Sequence, residues 1–190
     1  MSIMIVACLS CMLCFIMFIL SGLFKHSLLP IKSIKNLPKV SVVVAARNEE
    51  MFITNLVEDL VNQEYPLDKL EVIIVNDRST DTTKEILTKA DEDYALIKTI
   101  SVEKVSETMT PKKHALTLGI ESAKGEVIIL TDADCRVGKL WVSSMVYSVI
   151  NQNCISIGFS EIGASSNSLF EKYQHIDFLS IISANAGSAG

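Results

Sequence analysis

Two aspartates separated by one residue, Asp132 and Asp134, are the side chains whose type and spacing point most directly to chemistry. Carboxylates two positions apart offer hard oxygen ligands to Mg²⁺ or Mn²⁺, whose remaining coordination positions suit phosphate oxygens. An EF-hand calcium loop would need a ligand at Arg136 and a glycine at Val137, so that site is excluded. The competing interpretation is a helix N-cap at Asp134 with Asp132 incidental. We predict a divalent-cation site here.

Polar residues also follow the other apolar runs of the chain. Asn48 and Glu49 come after one run, Asp77 comes after the next, and the pair Lys112 and Lys113 precedes a helical stretch. A carboxylate such as Asp77 can accept hydrogen bonds from a ribose or a base, and a lysine near a helix N-terminus can pair with a diphosphate. Each cluster alone is compatible with ordinary turn and capping residues. Four clusters in register favour a nucleotide site, and the spacing does not decide between the two lysines.

The pattern of apolar residues predicts the elements that must position these side chains. Short β-branched runs predict strands at residues 40–46, 70–75, 95–102, 127–130 and 155–159. Helical spacing predicts a first helix that begins near residue 53 and ends at Tyr65-Pro66. A second helix should follow a capping box formed by Thr82 and Glu85. Further helices are predicted over residues 112–123, 138–150 and 168–183. This alternation implies an α/β fold, with a mostly parallel sheet and helices on both faces. Ligands bind beyond the carboxyl ends of such strands, where the polar clusters fall.

The first residues of the chain have a different character. Ile3 to Phe24 is almost continuously apolar, and no charged side chain occurs before Lys25. About 20 apolar residues in a helix span a bilayer core, and a signal peptide would carry its basic residues before the apolar run rather than after it. We therefore predict a transmembrane helix at residues 1–24 and a juxtamembrane linker at residues 25–38. The lysines after the helix predict a single pass through the inner membrane with the rest of the chain cytoplasmic.

The charge balance restricts the partners. Seventeen Lys and Arg against 22 Asp and Glu give a formal net charge of −5 over 190 residues. A protein that coats nucleic acid normally presents a basic face, so we expect no nucleic-acid partner. The length allows one domain with an appendage.

Three ordered segments together resemble the family 2 glycosyltransferases in their membrane-associated bacterial form. VSVVVAARNEE begins at Val40, VIIVNDRSTDTT at Val72, and PKKHALTLGIESAKGEVIILTDADC at Pro111. They are similar to the family's first strand with its Asn-Glu-Glu, its Asp-x-Ser-x-Asp turn, and its lysine-containing helix, Gly-Glu strand and Asp-x-Asp. The resemblance implies a GT-A fold of Rossmann type and a nucleotide-sugar donor, commonly a UDP-sugar.

The resemblance also implies a role for each matching residue. The segment from Ala45 through Asn48 to Glu49 would line the base pocket, and Asp77 would contact the nucleobase or ribose. Lys113 would lie near the nucleotide, with the adjacent Lys112 as the alternative. Asp132 would contact the donor, and Asp134 would ligate Mg²⁺ or Mn²⁺.

One expected part of the family pattern has no match in this sequence. The resemblance implies a general-base carboxylate that deprotonates a glycan or lipid-linked acceptor for inverting transfer. Glu161, Glu171 and Asp177 come too early for it, so we expect the base beyond Gly190 and interpret residues 39–190 as an incomplete, donor-binding half of the domain. Two alternatives stay open: a truncated, catalytically inactive nucleotide-binding chain, and a nucleotidyltransferase-type α/β enzyme.

Overall fold

The computed structural model describes residues 2–25, 36–152, 155–158, 168, 170 and 173–174. Its elements are α1 (Ser2–Lys25), β1 (Val40–Ala46), α2 (Ile53–Val61), a 3₁₀ turn (Leu67–Lys69), β2 (Leu70–Asn76), α3 (Thr83–Asp93), β3 (Ile97–Ser101), α4 (Pro111–Ser122), β4 (Val127–Asp132) and α5 (Trp141–Gln152). One compact unit, Ser33–Ser156, contains the whole sheet, and α1 belongs to another.

The sheet has four strands in the order β3-β2-β1-β4, and every pairing is parallel. β1 lies in the interior of the sheet because its sequence, VSVVVAA, suits a strand covered on both sides, and all its residues except Ala45 are buried. Parallel neighbours in this order require crossover connections, which α2, α3 and α4 supply. The predicted α/β class with a mostly parallel sheet is confirmed.

Helices cover both faces of this sheet. On one face, alternate residues of β1 pack with α2, α3 and α5 in a core that includes Val42, Leu56, Leu87 and Val146. On the other face, Val43 packs against α4, together with residues of β2. α4 approaches so closely that a Cβ on Gly119 would overlap the Val43 side chain. A glycine in mid-helix, normally unfavourable, is explained by this contact.

Two local expectations about the elements are wrong. Thr82 does precede α3, but its hydroxyl makes no capping bond and instead donates to a Glu50 carboxylate oxygen, at 2.7 Å. Residues 155–158 are irregular rather than a strand, and Ile155 and Ile157 are exposed. The last residue of that expected strand, and most of the helix expected at 168–183, lie outside the described residues.

The expected membrane placement is also wrong. In the part of the chain that the structure describes, no helix combines the length and the apolar character needed to cross a membrane. This finding overturns the transmembrane helix predicted at residues 1–24 and the single-pass inner-membrane placement with the chain after Lys25 cytoplasmic. The predicted linker, 25–38, lies largely outside the described residues.

Candidate active site

The strand register brings the predicted site residues to one edge of the sheet. Ala46 pairs with Asn76 across β1 and β2, and Ala45 pairs with Asp132 across β1 and β4. The three strands therefore end at the same level, and the loops that follow them leave from the carboxyl edge together. Ala45, half-buried, pairs with Val75 of β2 on one side and with Asp132 of β4 on the other, and its role as a pocket-lining residue stays a prediction.

Asp77 is the most deeply placed carboxylate at this edge, with 4% of its surface exposed. Its backbone N–H donates to the Ala46 carbonyl at 2.8 Å, which extends the β1–β2 ladder by one step. Two arginines surround its carboxylate: Arg78 Nε lies 2.8 Å from Oδ1, and Arg47 Nη1 lies 3.9 Å from Oδ2. Arg78 has a φ of 54°, a left-handed conformation that is unusual for an arginine. Two ion pairs therefore hold the carboxylate of the predicted nucleotide-binding acid, and neither arginine was predicted as its partner.

Asn48 connects the loop after β1 to the loop after β2. Its side-chain oxygen accepts hydrogen bonds from the Thr80 backbone N–H at 2.8 Å and the Thr80 hydroxyl at 3.3 Å. Its own backbone N–H donates to the Ser79 hydroxyl at 3.1 Å. Asn48 has a φ of 56°, which asparagine tolerates better than most residues. The structure thus gives Asn48 a positioning role, and its contact with a donor stays a prediction.

The neighbouring glutamates continue this connection between the loops. The Glu49 backbone N–H donates to the Thr83 hydroxyl at 2.8 Å, and the Glu50 carboxylate accepts from the Thr82 backbone N–H at 3.0 Å. Asp81 accepts from the Glu50 backbone N–H at 3.2 Å. We call this reciprocal set of bonds between residues 48–50 and 79–83 the loop clasp. It leaves the Glu49 carboxyl unengaged by the clasp itself.

Asp132 and Asp134 lie where β4 ends, as the sequence predicts. Asp132 is the last residue of β4, and Asp134 lies in the turn that follows. α5 begins only at Trp141, so Asp134 is not a helix N-cap and that alternative is excluded. The Arg136 guanidinium donates two hydrogen bonds to Asp59 on α2, at 2.6 and 2.9 Å, which anchors the chain just after the pair. Asp59 and Arg136 are far apart in sequence, and no local pattern marks their pairing.

Lys112 rather than Lys113 faces the aspartates. The Lys112 ammonium lies 2.8 Å from Asp132 Oδ1, and this hydrogen bond, more than any other influence, raises the pKa of Lys112. Lys113 is exposed, and in the described part of the chain its ammonium makes no ion pair. Lys112, which the sequence left open as the alternative to Lys113, is therefore the lysine in contact with Asp132.

The electrostatics at this edge suit a cation. Partial burial raises the pKa of Glu49, and the nearby carboxylates of Asp134, Asp81 and Asp132 raise it further, while Lys112 opposes them. Among the described residues, no three His, Cys, Asp or Glu side chains form a ready-made metal cage. Mg²⁺ and Mn²⁺ need no such cage when one or two carboxylates and substrate phosphates supply the ligands. Asp132 and Asp134 fit that requirement.

Sequence comparison identifies the family. Residues 41–185 match the family model described as "Glycosyl transferase family 2". The chain belongs to this family. The resemblance noted from the three motifs is therefore confirmed. The match begins inside β1 and includes every element and loop of the site.

Individual relatives agree with this membership. The probable glycosyltransferase YdaM of Bacillus subtilis (strain 168) is 38% identical over 120 residues, which are 63% of this chain and 28% of YdaM. TarS of Staphylococcus aureus (strain Mu50 / ATCC 700699), a poly(ribitol-phosphate) β-N-acetylglucosaminyltransferase, is 30% identical over 53% of this chain and 17% of its own length. The chain thus spans under a third of the length of these relatives.

Solved structures of two glycosyltransferases share the fold. Residues 1–349 of S. aureus TarS in complex with UDP-GlcNAc superpose with a TM-score of 0.51 at 28% identity, covering 60% of this chain and 32% of that one. The mannosyltransferase PcManGT of Pyrobaculum calidifontis, in complex with GDP-Man and Mn²⁺, gives a TM-score of 0.57 at 25% identity, covering 71% of this chain and 39% of that one. The sheet and its helices are those of known family members.

Proposed function

We propose that this chain forms the donor-binding half of a glycosyltransferase. The enzyme would transfer a sugar from a nucleoside-diphosphate sugar, in the first instance a UDP-sugar, to a glycan or lipid-linked acceptor with inversion, assisted by Mg²⁺ or Mn²⁺. The observation that carries the proposal is the parallel register that brings Asp77, Asp132 and Asp134 to one edge of the sheet. The UDP-GlcNAc complex of TarS and the GDP-Man and Mn²⁺ complex of PcManGT support it by analogy.

The acidic residues would divide the donor between them. Asp77, buried and held by two arginines, would accept hydrogen bonds from the base or ribose. Asp132 and Asp134 would hold the cation at the diphosphate, and the bound cation would neutralise the charge that develops as the nucleotide leaves. Ala45 and Glu49 would line the pocket between these two positions.

The remaining polar residues would position or attract the donor. Asn48 would act through the loop clasp, which fixes the turn after Asp77 relative to the end of β1. Lys112, at the first turn of α4, would meet the diphosphate, where the helix N-terminus also favours anions. Lys113 would add positive charge at a greater distance. We assign no general base among the described residues.

Calorimetric titration of the full chain with UDP, with and without Mn²⁺, tests the donor site. We expect UDP binding that Mn²⁺ strengthens, and a loss of about tenfold or more in Asp134→Ala, because a cation ligand is removed. Asp68→Ala is the matched control, since Asp68 lies in the 3₁₀ turn before β2, at the opposite edge of the sheet. UDP binding that is indifferent both to Mn²⁺ and to Asp134→Ala would contradict the proposal.

The two other enzyme classes give different products. Release of UDP from a UDP-sugar supports glycosyl transfer, whereas release of pyrophosphate from UTP would indicate a nucleotidyltransferase. Cation-dependent UDP binding without any turnover would indicate a nucleotide-binding chain that is inactive on its own. Each reaction is followed by chromatography of the nucleotide products.

A further inference from the structure

We propose that Lys112 is an exchangeable counter-ion that couples cation binding to nucleotide binding. It would neutralise Asp132 while the cation is absent and turn toward the diphosphate once Asp132 becomes a cation ligand. This inference rests on the proposed function, because it assigns a second task to a residue of the same site. Its experiment is therefore chosen so that either idea can fail separately.

The ion pair joins two elements that the core holds in place. Asp132 ends β4, whose main chain is hydrogen-bonded to β1. Lys112 lies in the first turn of α4, and α4 packs on the sheet through Gly119 and Ala115. Neither backbone needs to move to break the 2.8 Å contact, because the lysine side chain has four rotatable bonds of its own. The exchange is thus a side-chain movement between fixed supports.

The exposure of the pair makes it suitable for exchange. The Lys112 and Asp132 side chains are 61% and 57% exposed, so water screens the attraction between them. Ion pairs this exposed contribute little to stability and are readily broken. A divalent cation, with twice the charge and direct bonds to the carboxylate oxygens, would compete for Asp132 successfully.

The surrounding charges favour both positions of the ammonium. Before a cation binds, Lys112 is the positive charge that offsets Asp132, Asp134 and Asp81 around Glu49. After a cation binds, the ammonium would be repelled from Asp132, and the α4 N-terminus beside it is a favourable place for a phosphate. The same lysine would therefore oppose cation binding without nucleotide and favour nucleotide binding with the cation.

This dual effect predicts opposite changes in two affinities, which a structural role would not produce. In Lys112→Met, we expect the affinity for Mn²⁺ alone to rise about two- to fivefold, the range set by the strength of an exposed ion pair. The affinity for UDP in the presence of Mn²⁺ should fall by at least about threefold, since one charge contact with the diphosphate is lost. Lys112→Arg keeps the charge and should change both affinities less. Calorimetry of the full chain with MnCl₂ and with UDP measures both.

Two further variants decide what the result means. Lys98→Met removes an exposed charge from β3, away from the aspartates, and should leave both affinities as in the wild type. If the affinity of Lys112→Met for Mn²⁺ falls or does not change, the inference is overturned. It is also overturned if the rise in Mn²⁺ affinity and the fall in UDP affinity appear in Lys113→Met instead. If the wild type binds Mn²⁺ and UDP but Lys112→Met does not change the two affinities in opposite directions, only this inference fails. If the wild type binds neither, the proposed donor site fails with it.

Discussion

Replacing Asn48 tests whether the loop clasp, rather than a contact with the donor, is what this residue contributes. Asn48 has a φ of 56°, and its side-chain oxygen accepts the Thr80 backbone N–H at 2.8 Å. Asn48→Ala removes the acceptor and places a Cβ without a polar group in a left-handed conformation. Asn48→Gly removes the same acceptor but relieves the backbone. The two variants therefore differ mainly in backbone strain.

The expected losses of stability follow from these two contributions. An exposed hydrogen bond contributes about 0.5–1.5 kcal/mol, because water can partly replace it. A left-handed conformation costs a residue with a Cβ about 1 kcal/mol. We therefore expect the free energy of unfolding to fall by about 2 kcal/mol in Asn48→Ala and by about 1 kcal/mol in Asn48→Gly. Asn62→Ala is the control without strain. It also loses a side-chain hydrogen bond, to the Glu58 carbonyl, but the φ of Asn62 is −92°, which a residue with a Cβ adopts readily.

Urea unfolding of the full chain, followed by the fluorescence of its single tryptophan, Trp141, measures these differences. Trp141 is a suitable probe because it packs against the main core. If Asn48→Gly is as destabilised as Asn48→Ala, backbone strain is not the second contribution. If both variants unfold at the wild-type midpoint, the clasp does not stabilise the loops and the reasoning fails.

Three other predictions use the same unfolding assay. Gly119→Ala should cost about 1–3 kcal/mol, since its Cβ would overlap a core side chain of β1, whereas Gly138→Ala should be nearly neutral because nothing lies within 4 Å of its added carbon. The hydrogen bond from Arg136 lowers the pKa of Asp59, so this carboxylate should stabilise the fold above pH 3.8 and lose that effect as the pH falls below it. The difference in the free energy of unfolding between the wild type and Asp59→Asn should therefore become smaller at low pH. Burial, with a smaller effect of a nearby glutamate, raises the pKa of Tyr65 from 10.0 to about 12, so its stabilising effect should be present below pH 10 and lost as the pH rises toward 12. An alkaline loss of equal size in Tyr65→Phe would contradict the last prediction.

The expectations from sequence were most accurate where the local pattern and the tertiary environment agree. β1 was predicted at residues 40–46 and is found there, because a β-branched run buried on both faces has no competing structure. Asp132 and Asp134 likewise lie at the carboxyl edge, because β4 is parallel to β1 and ends at Asp132. The expectation that a buried strand precedes them is wrong: β4 is an edge strand of the sheet, and its Ile128 and Leu130 are exposed. Residues 155–158 had the composition of a strand but are irregular. A strand needs a partner as well as a propensity, and composition does not supply one.

The sequence by itself determined the α/β class, the order of its first four strands and the identity of the acids, because these depend on the periodicity and type of neighbouring residues. The ends of β3 and β4 differ by one or two residues from the predicted 95–102 and 127–130. Only the tertiary structure decided which partners those acids have. Lys112, rather than Lys113, pairs with Asp132 because of the way the first turn of α4 faces β4. The pairing of Asp59 with Arg136 joins two distant parts of the chain. Such contacts depend on how elements pack against one another. No local pattern of residues encodes that packing.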